Sequence, residues 1–131
     1  MIRPDELEDL KVSVDDVLYM PSLDAPAERP HPFAYFITIT NDSEVSVRIR
    51  ARKWIVRESE GEVVVVEGDG IVGKQPLLKP GQNFTYNSYH VIQSNSEAEG
   101  AFFGQTSDGR VVCVRIPSFE MTIPHWAIDD D

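Results

Sequence analysis

The segment Gly68-Asp69-Gly70-Ile71-Val72-Gly73-Lys74-Gln75-Pro76 carries the glycine spacing of a dinucleotide-binding turn. In such a turn the third glycine opens a helix whose free N–H groups hold a pyrophosphate, so the spacing has chemical meaning only between a strand and a helix. Val63 to Val66 read as the strand leading in. No helix can lead out, because Pro76 follows closely and Pro80-Gly81 comes soon after, and proline lacks a donor and clashes with the preceding helical turn. The plainest reading is structural: the glycines supply positive φ at a crossover between two sheets, and Gln75 satisfies loop backbone groups. Two functional readings stand beside it. The loop is a protein-contact surface at one end of a β domain, or its N–H groups at Gly68, Gly70 and Gly73, with Lys74, form a site for phosphate or a nucleotide, hydrolytic in its catalytic form. Asp69 opposes the second reading by repelling an anion.

A second constellation lies upstream. Arg48, Arg50 and Arg52 share one strand parity with Trp54, while Val45, Val47, Ile49, Ala51 and Ile55 occupy the other. The apolar parity is expected to face the core, leaving the guanidinium groups in a row on the outer face. Such a row suits an anion or an acidic partner, with Trp54 as an aromatic anchor. The plainer alternative is a solvated strand face whose charges bond to neighbouring carboxylates, with Trp54 packed beneath. His31, His90 and His125 fall on separate segments without a ligand partner at helix or hairpin spacing, so neither a metal site nor a cofactor is expected. Ser88 and His90 share a strand face, but no strained turn presents the serine; a serine hydrolase is rejected and no catalytic residue is assigned.

The chain as a whole bounds the partners. Its 131 residues are expected to form one domain, with a core from about 10 to 124 and acidic ends at Asp5 to Asp9 and Asp129 to Asp131 that read as solvated tails. A formal net charge of -10 opposes general binding to nucleic acid or to an anionic membrane surface. The single cysteine, Cys113, sits among valines, excludes an intrachain disulfide and fits a reducing compartment. The N-terminus is charged where a signal peptide needs an apolar run, and no segment has the apolar length of a membrane helix. A cytoplasmic protein with no membrane insertion is expected.

The elements that must position these residues are strands. Leu10 to Tyr19 changes parity at Asp15-Asp16, which predicts a bulge. The stretch Pro21 to Pro32 is rich in proline and lacks periodicity, so it reads as a connecting loop. Phe33 to Thr40 and Val45 to Arg57 are strands, and Glu60-Gly61 turns the chain into Glu62 to Glu67. Lys79-Pro80-Gly81-Gln82 has the residues of a type II turn before a strand from Asn83 to His90. Gly100 to Thr106 and Arg110 to Ile116 flank the hairpin signal Asp108-Gly109, and Phe119 to Ile123 read as a last short strand. Seven to eight short strands without a helical stripe predict an all-β antiparallel sandwich.

Arg52-Lys53-Trp54, the glycine loop running into Gln75-Pro76 and Pro80-Gly81, Tyr86 with Ser88, and Ile116-Pro117 with Phe119 together resemble the ApaG family over roughly Val12 to Pro124. The resemblance implies an immunoglobulin-like or fibronectin type III-like β-sandwich. It further implies a non-enzymatic module that binds a protein partner and is associated with cobalt and magnesium efflux or tolerance. Tyr89-His90 and the polar run Gln93-Ser94-Asn95-Ser96 depart from the family pattern, which has a small residue after the matched serine. The acidic N-terminus and the tail from His125 lie outside the resemblance.

Overall fold

The computed structural model describes residues 5–128; the calls on Asp129 to Asp131 lie outside them. The described chain is β1 (Asp5–Glu6), β2 (Leu10–Tyr19), β3 (His31–Asn41), β4 (Val47–Glu58), β5 (Val63–Asp69), β6 (Leu77–Leu78), β7 (Asn83–Ile92), β8 (Ser96–Thr106), β9 (Val111–Met121) and the short helix α1 (His125–Ile128). One sheet has the order β1-β9-β8-β4-β5, with β6 also on β4; the other has the order β2-β3-β7. All pairings are antiparallel except β1 with β9. The two sheets face each other as a β-sandwich, and the alternating inward residues Phe33, Tyr35, Ile37 and Ile39 of β3 meet Val47, Ile49, Trp54, Phe102, Val112 and Val114 from the larger sheet in one core.

Local sequence explains most boundaries. The β2 register shifts between Val14 and Asp16, as the parity change predicts, and the Asp15 carboxylate accepts hydrogen bonds from Thr38 Oγ1 (2.6 Å) and Ser13 Oγ (2.8 Å). Those bonds hold its pKa below the ordinary carboxylate value. Gly61, Gly81 and Gly109 all have positive φ at the turns assigned to them, and Gln82 N donates to Lys79 O at 2.9 Å across the Pro80-Gly81 turn. Asn41, fully buried, donates to Val45 O and Leu78 O at 2.8 Å each and accepts from Ser43 N and Oγ, fixing the β3–β4 turn against β6.

Several expectations are corrected. β9 is one strand through Pro117, so Phe119 does not begin a separate one; the register shift opposite Ala98 and Gly100 absorbs the proline, as bulges do. β8 begins at Ser96, at the end of the polar run and four residues before the expected start at Gly100. Asp5-Glu6 is not a solvated tail but a short strand on β9, and Glu6 pairs with Arg115 at 2.7 Å. Within the proline-rich loop, Arg29 pairs with the buried Glu58 at 3.1 Å and with Glu62 at 2.5 Å, tying that loop to the β4–β5 hairpin.

The largest correction concerns β4. Its register with β8 shifts between Ile49 and Ala51, placing a bulge at Arg50. Val47 and Ile49 face the core before the bulge, and Trp54 and Val56 face it after. A one-residue slip moves every later side chain to the opposite face. Arg52 and Trp54 therefore leave the outer row expected of them, while Ala51 and Ile55, expected in the core, lie on the outer side and are only half-buried.

Candidate functional site

β5 and β6 both pair antiparallel with β4 along the same edge. They are two parts of one edge strand, and residues 70–76 are an excursion between them, not the crossover expected from the glycines. The crossover to the other sheet comes later, at the Pro80-Gly81 turn. The base of the excursion is closed by Gly70 N donating to Arg50 O (2.6 Å) and Ile49 N donating to Pro76 O (2.9 Å). The Arg50 bulge and the excursion thus lie opposite each other.

Inside the excursion, Ile71 N donates to Lys74 O (2.7 Å) and Lys74 N to Ile71 O (2.9 Å), making a miniature hairpin. Its two tip residues have positive φ, 43° at Val72 and 82° at Gly73, the signs of a type I′ turn. That turn favours asparagine, aspartate or glycine at its first central position. A β-branched residue held there is a backbone outlier costing about 1–3 kcal/mol. Ile71 is fully buried and anchors the hairpin, whereas Val72 is 52% exposed at the tip.

The arginines and the glycine loop are one constellation. Arg48 Nη1 donates to Gln75 O (2.9 Å), Arg50 Nη1 to Gln75 Oε1 (3.2 Å) and Nη2 to Gln105 Oε1 (3.3 Å), and Arg52 Nη1 to Asp69 O (3.0 Å) and Gly70 O (3.1 Å). Among the described residues none of the three pairs with a carboxylate, contrary to the solvated-face expectation. Gln75 accepts from arginines instead of serving the loop backbone. Gly68 needs no special φ; a Cβ there would lie 2.7 Å from the Arg52 guanidinium, so glycine provides the room in which that group lies. At Gly70 a Cβ would meet Lys74 O at 2.3 Å, and its φ is positive as well. The N–H groups of Gly70, Ile71 and Lys74 are engaged by carbonyls, so they do not converge outward on an anion as a nest requires.

Trp54 is 1% exposed and cannot serve as a surface anchor. Its ring lies 4.8 Å from Tyr35, 4.7 Å from His90 and 5.8 Å from Phe119, centroid to centroid. Tyr86 joins at 6.3 Å from Tyr35. Trp54 Nε1, Tyr86 Oη and His90 Nε2 are buried without a hydrogen-bond partner in the protein. Burial pushes the His90 pKa down to about 4 and the Tyr86 hydroxyl well above its ordinary value. Ser88 and His90 do share the inward parity of β7, but this aromatic cluster around them was not foreseen. The alternation Tyr86, Ser88, His90 opposite Tyr35 was the signal available. His31 is not an exposed loop residue: it opens β3, half-buried, with Nδ1 3.0 Å from Tyr19 Oη. His125 is exposed at the start of α1.

Comparison with known proteins agrees with this architecture. A family profile described as the ApaG domain matches residues 21–105. A Protein ApaG of Nitrosomonas eutropha is 37% identical over 124 residues, covering 94% of this chain and 97% of its own. One of Aromatoleum aromaticum is 33% identical, covering 91% and 95%. The crystal structure of a Bordetella pertussis protein named ApaA superposes with a TM-score of 0.79 at 32% identity, covering 93% of this chain and 99% of that one. These matches place the fold in the β-sandwich class of ApaG domains. The chain belongs to the ApaG family.

Proposed function

We propose that this chain is a non-enzymatic binding module that acts through protein contacts, with the Val72-Gly73 hairpin tip as its contact point. The reading includes the association with cobalt and magnesium efflux or tolerance that the family resemblance implies and, in keeping with the single cysteine, a cytoplasmic setting. One observation carries the reading: an exposed valine is kept in a strained backbone conformation at a tip that three arginines and a buried isoleucine hold in place. Strain of this kind persists only where the surroundings over-determine it, and asparagine or glycine would relieve it. A rigid apolar tip binds a preformed partner surface at small entropic cost. Arg48, Arg50 and Arg52 act as positioning residues for the loop, with Gly68, Gly70, Gly73, Lys74 and Gln75 forming its frame.

Val72→Asp tests the contact. It places a charge at the tip, in a turn that tolerates aspartate, and should abolish capture of the native partner by immobilised protein while the fold melts no lower than before. Undiminished capture sinks the proposal. The rival phosphate reading is checked by titrating labelled protein with ATP and a dinucleoside polyphosphate, with and without magnesium; saturable amide shifts confined to Gly68 to Lys74 would establish it instead.

A further inference from the structure

We propose that the free edge of β5 is a strand-addition site that takes an extended partner segment with alternating apolar residues and a basic residue at each end. This deepens the protein-contact reading and rests on it. Glu58 N donates to Glu62 O and Gly70 N to Arg50 O, so even-numbered residues from 62 to 70 turn their main-chain groups toward β4. The N–H and C=O groups of Val63, Val65, Glu67 and Asp69 therefore point away from it, and β5 is the last strand of its sheet along Val63 to Asp69. The Asp69 carbonyl accepts from Arg52, which leaves Val63, Val65 and Glu67 to present a template for another strand.

Other edges in the described residues carry devices against such pairing. β2 has its bulge with Asp15 and Asp16, β1 and β6 are two residues long, β9 beyond its pairing with β1 carries Pro117 and a register shift, and on β7 the Tyr89 hydroxyl donates to Asp24 O of the proline-rich loop at 3.0 Å. β5 has none within its valine run. Val63 and Val65 are 55% and 52% exposed on the outer face, and Val66 is 38% exposed on the other. A long, flat, apolar edge left open is an aggregation hazard unless something covers it.

Charge selects the occupant. Acidic residues border the valines at both ends, Glu60 and Glu62 before and Glu67 and Asp69 after; Glu62 pairs with Arg29 and Glu67 with Lys53, while among the described residues Glu60 and Asp69 pair with no cation and are the acids left for a partner. A second copy suits this edge poorly. In antiparallel self-pairing centred on Val65, Val63 would oppose Glu67, no opposite charges would meet, and two chains of net charge -10 would repel. A segment with lysine or arginine at its ends meets the acids instead. Main-chain bonds supply affinity, and the alternating side chains lie beside Val63 and Val65 on one face and Val64 and Val66 on the other.

The probe is a heptapeptide of alternating valine and threonine with lysine at both ends, titrated into labelled full-length chain. Saturable amide shifts at Val63, Val65 and Glu67 are expected, with about tenfold weaker binding by a glutamate-ended peptide. Loss of binding is expected for a peptide with proline at its centre and for Val65→Pro, whose outward N–H lets the host sheet keep its ladder. The proline peptide keeps the test valid if that variant misfolds. No saturable shift at millimolar peptide overturns the proposal. Shifts confined to Val72 to Gln75 also overturn it while leaving the loop reading standing, and peptide binding unchanged in Val72→Asp with partner capture retained sinks the loop reading alone. A concentration-dependent dimer that Val65→Pro abolishes would assign the edge to a second copy and overturn the stated occupant.

Discussion

His90 makes acid a probe of the sandwich core. The ring is 8% exposed, with Tyr35 and Trp54 each 4.7 Å away and Nε2 unpartnered. Burial lowers its folded pKa from 6.5 to about 4. Between those values the unfolded chain holds a proton that the folded chain refuses, so stability from this group is complete above the unfolded value and is lost as the pH falls toward the folded one. A shift of this size costs about 2 kcal/mol between pH 7.5 and pH 5, and about 3 kcal/mol by pH 3. Carboxylates respond to acid too, so the measurement compares urea unfolding of the wild type with His90→Leu, which has similar volume and no titration. The difference in unfolding free energy between the two should shift by about 2 kcal/mol in favour of the variant from pH 7.5 to pH 5. Parallel pH profiles would refute the claim that His90 is buried and neutral.

Trp54→Ala should cost about 3–5 kcal/mol in chemical denaturation, because the ring is core and not anchor. Gly70→Ala should cost about 2 kcal/mol or more, since its Cβ would strike Lys74 O, whereas Gly73→Ala, with open space at its Cβ, should cost about 1 kcal/mol from φ alone. Arg52→Gln should leave the melting temperature within a few degrees yet accelerate amide exchange at Ile71 and Lys74, as the loop loses two carbonyl contacts. Arg29→Ala should lower the melting temperature by more than Lys53→Ala, because Glu58 is buried while Glu67 is exposed.

Turn chemistry and strand alternation carried the fold. Prolines and glycines at Glu60-Gly61, Pro80-Gly81 and Asp108-Gly109 mark turns by local rules, and the parity change at Asp15-Asp16 announced its own bulge because apolar residues switched face with it. The bulge at Arg50 gave no such notice. Ala51 and Ile55 continue the apolar parity of Val47 and Ile49, so the sequence alternates smoothly through a place where the strand slips. That slip lies opposite the glycine excursion, and the contact joins segments some twenty residues apart, which no local pattern encodes. For the same reason the arginine row and the glycine loop read as two sites. Pairing β5 and β6 on one edge of β4 is what makes them one. The strain at Val72 was hidden as well, since valine in a glycine-rich stretch signals nothing until the φ angles are known.

Val72→Asn is the measurement that bears most directly on the contact proposed for the loop tip. Asparagine relieves the left-handed strain and removes the apolar tip, so thermal denaturation should show the variant stabilised by about 1 kcal/mol, a rise of roughly 3–5 °C at this chain length. Capture of the native partner should fall in the same preparation. A variant that melts no higher than the wild type and captures the partner equally well would contradict both the strain and the contact assigned to Val72.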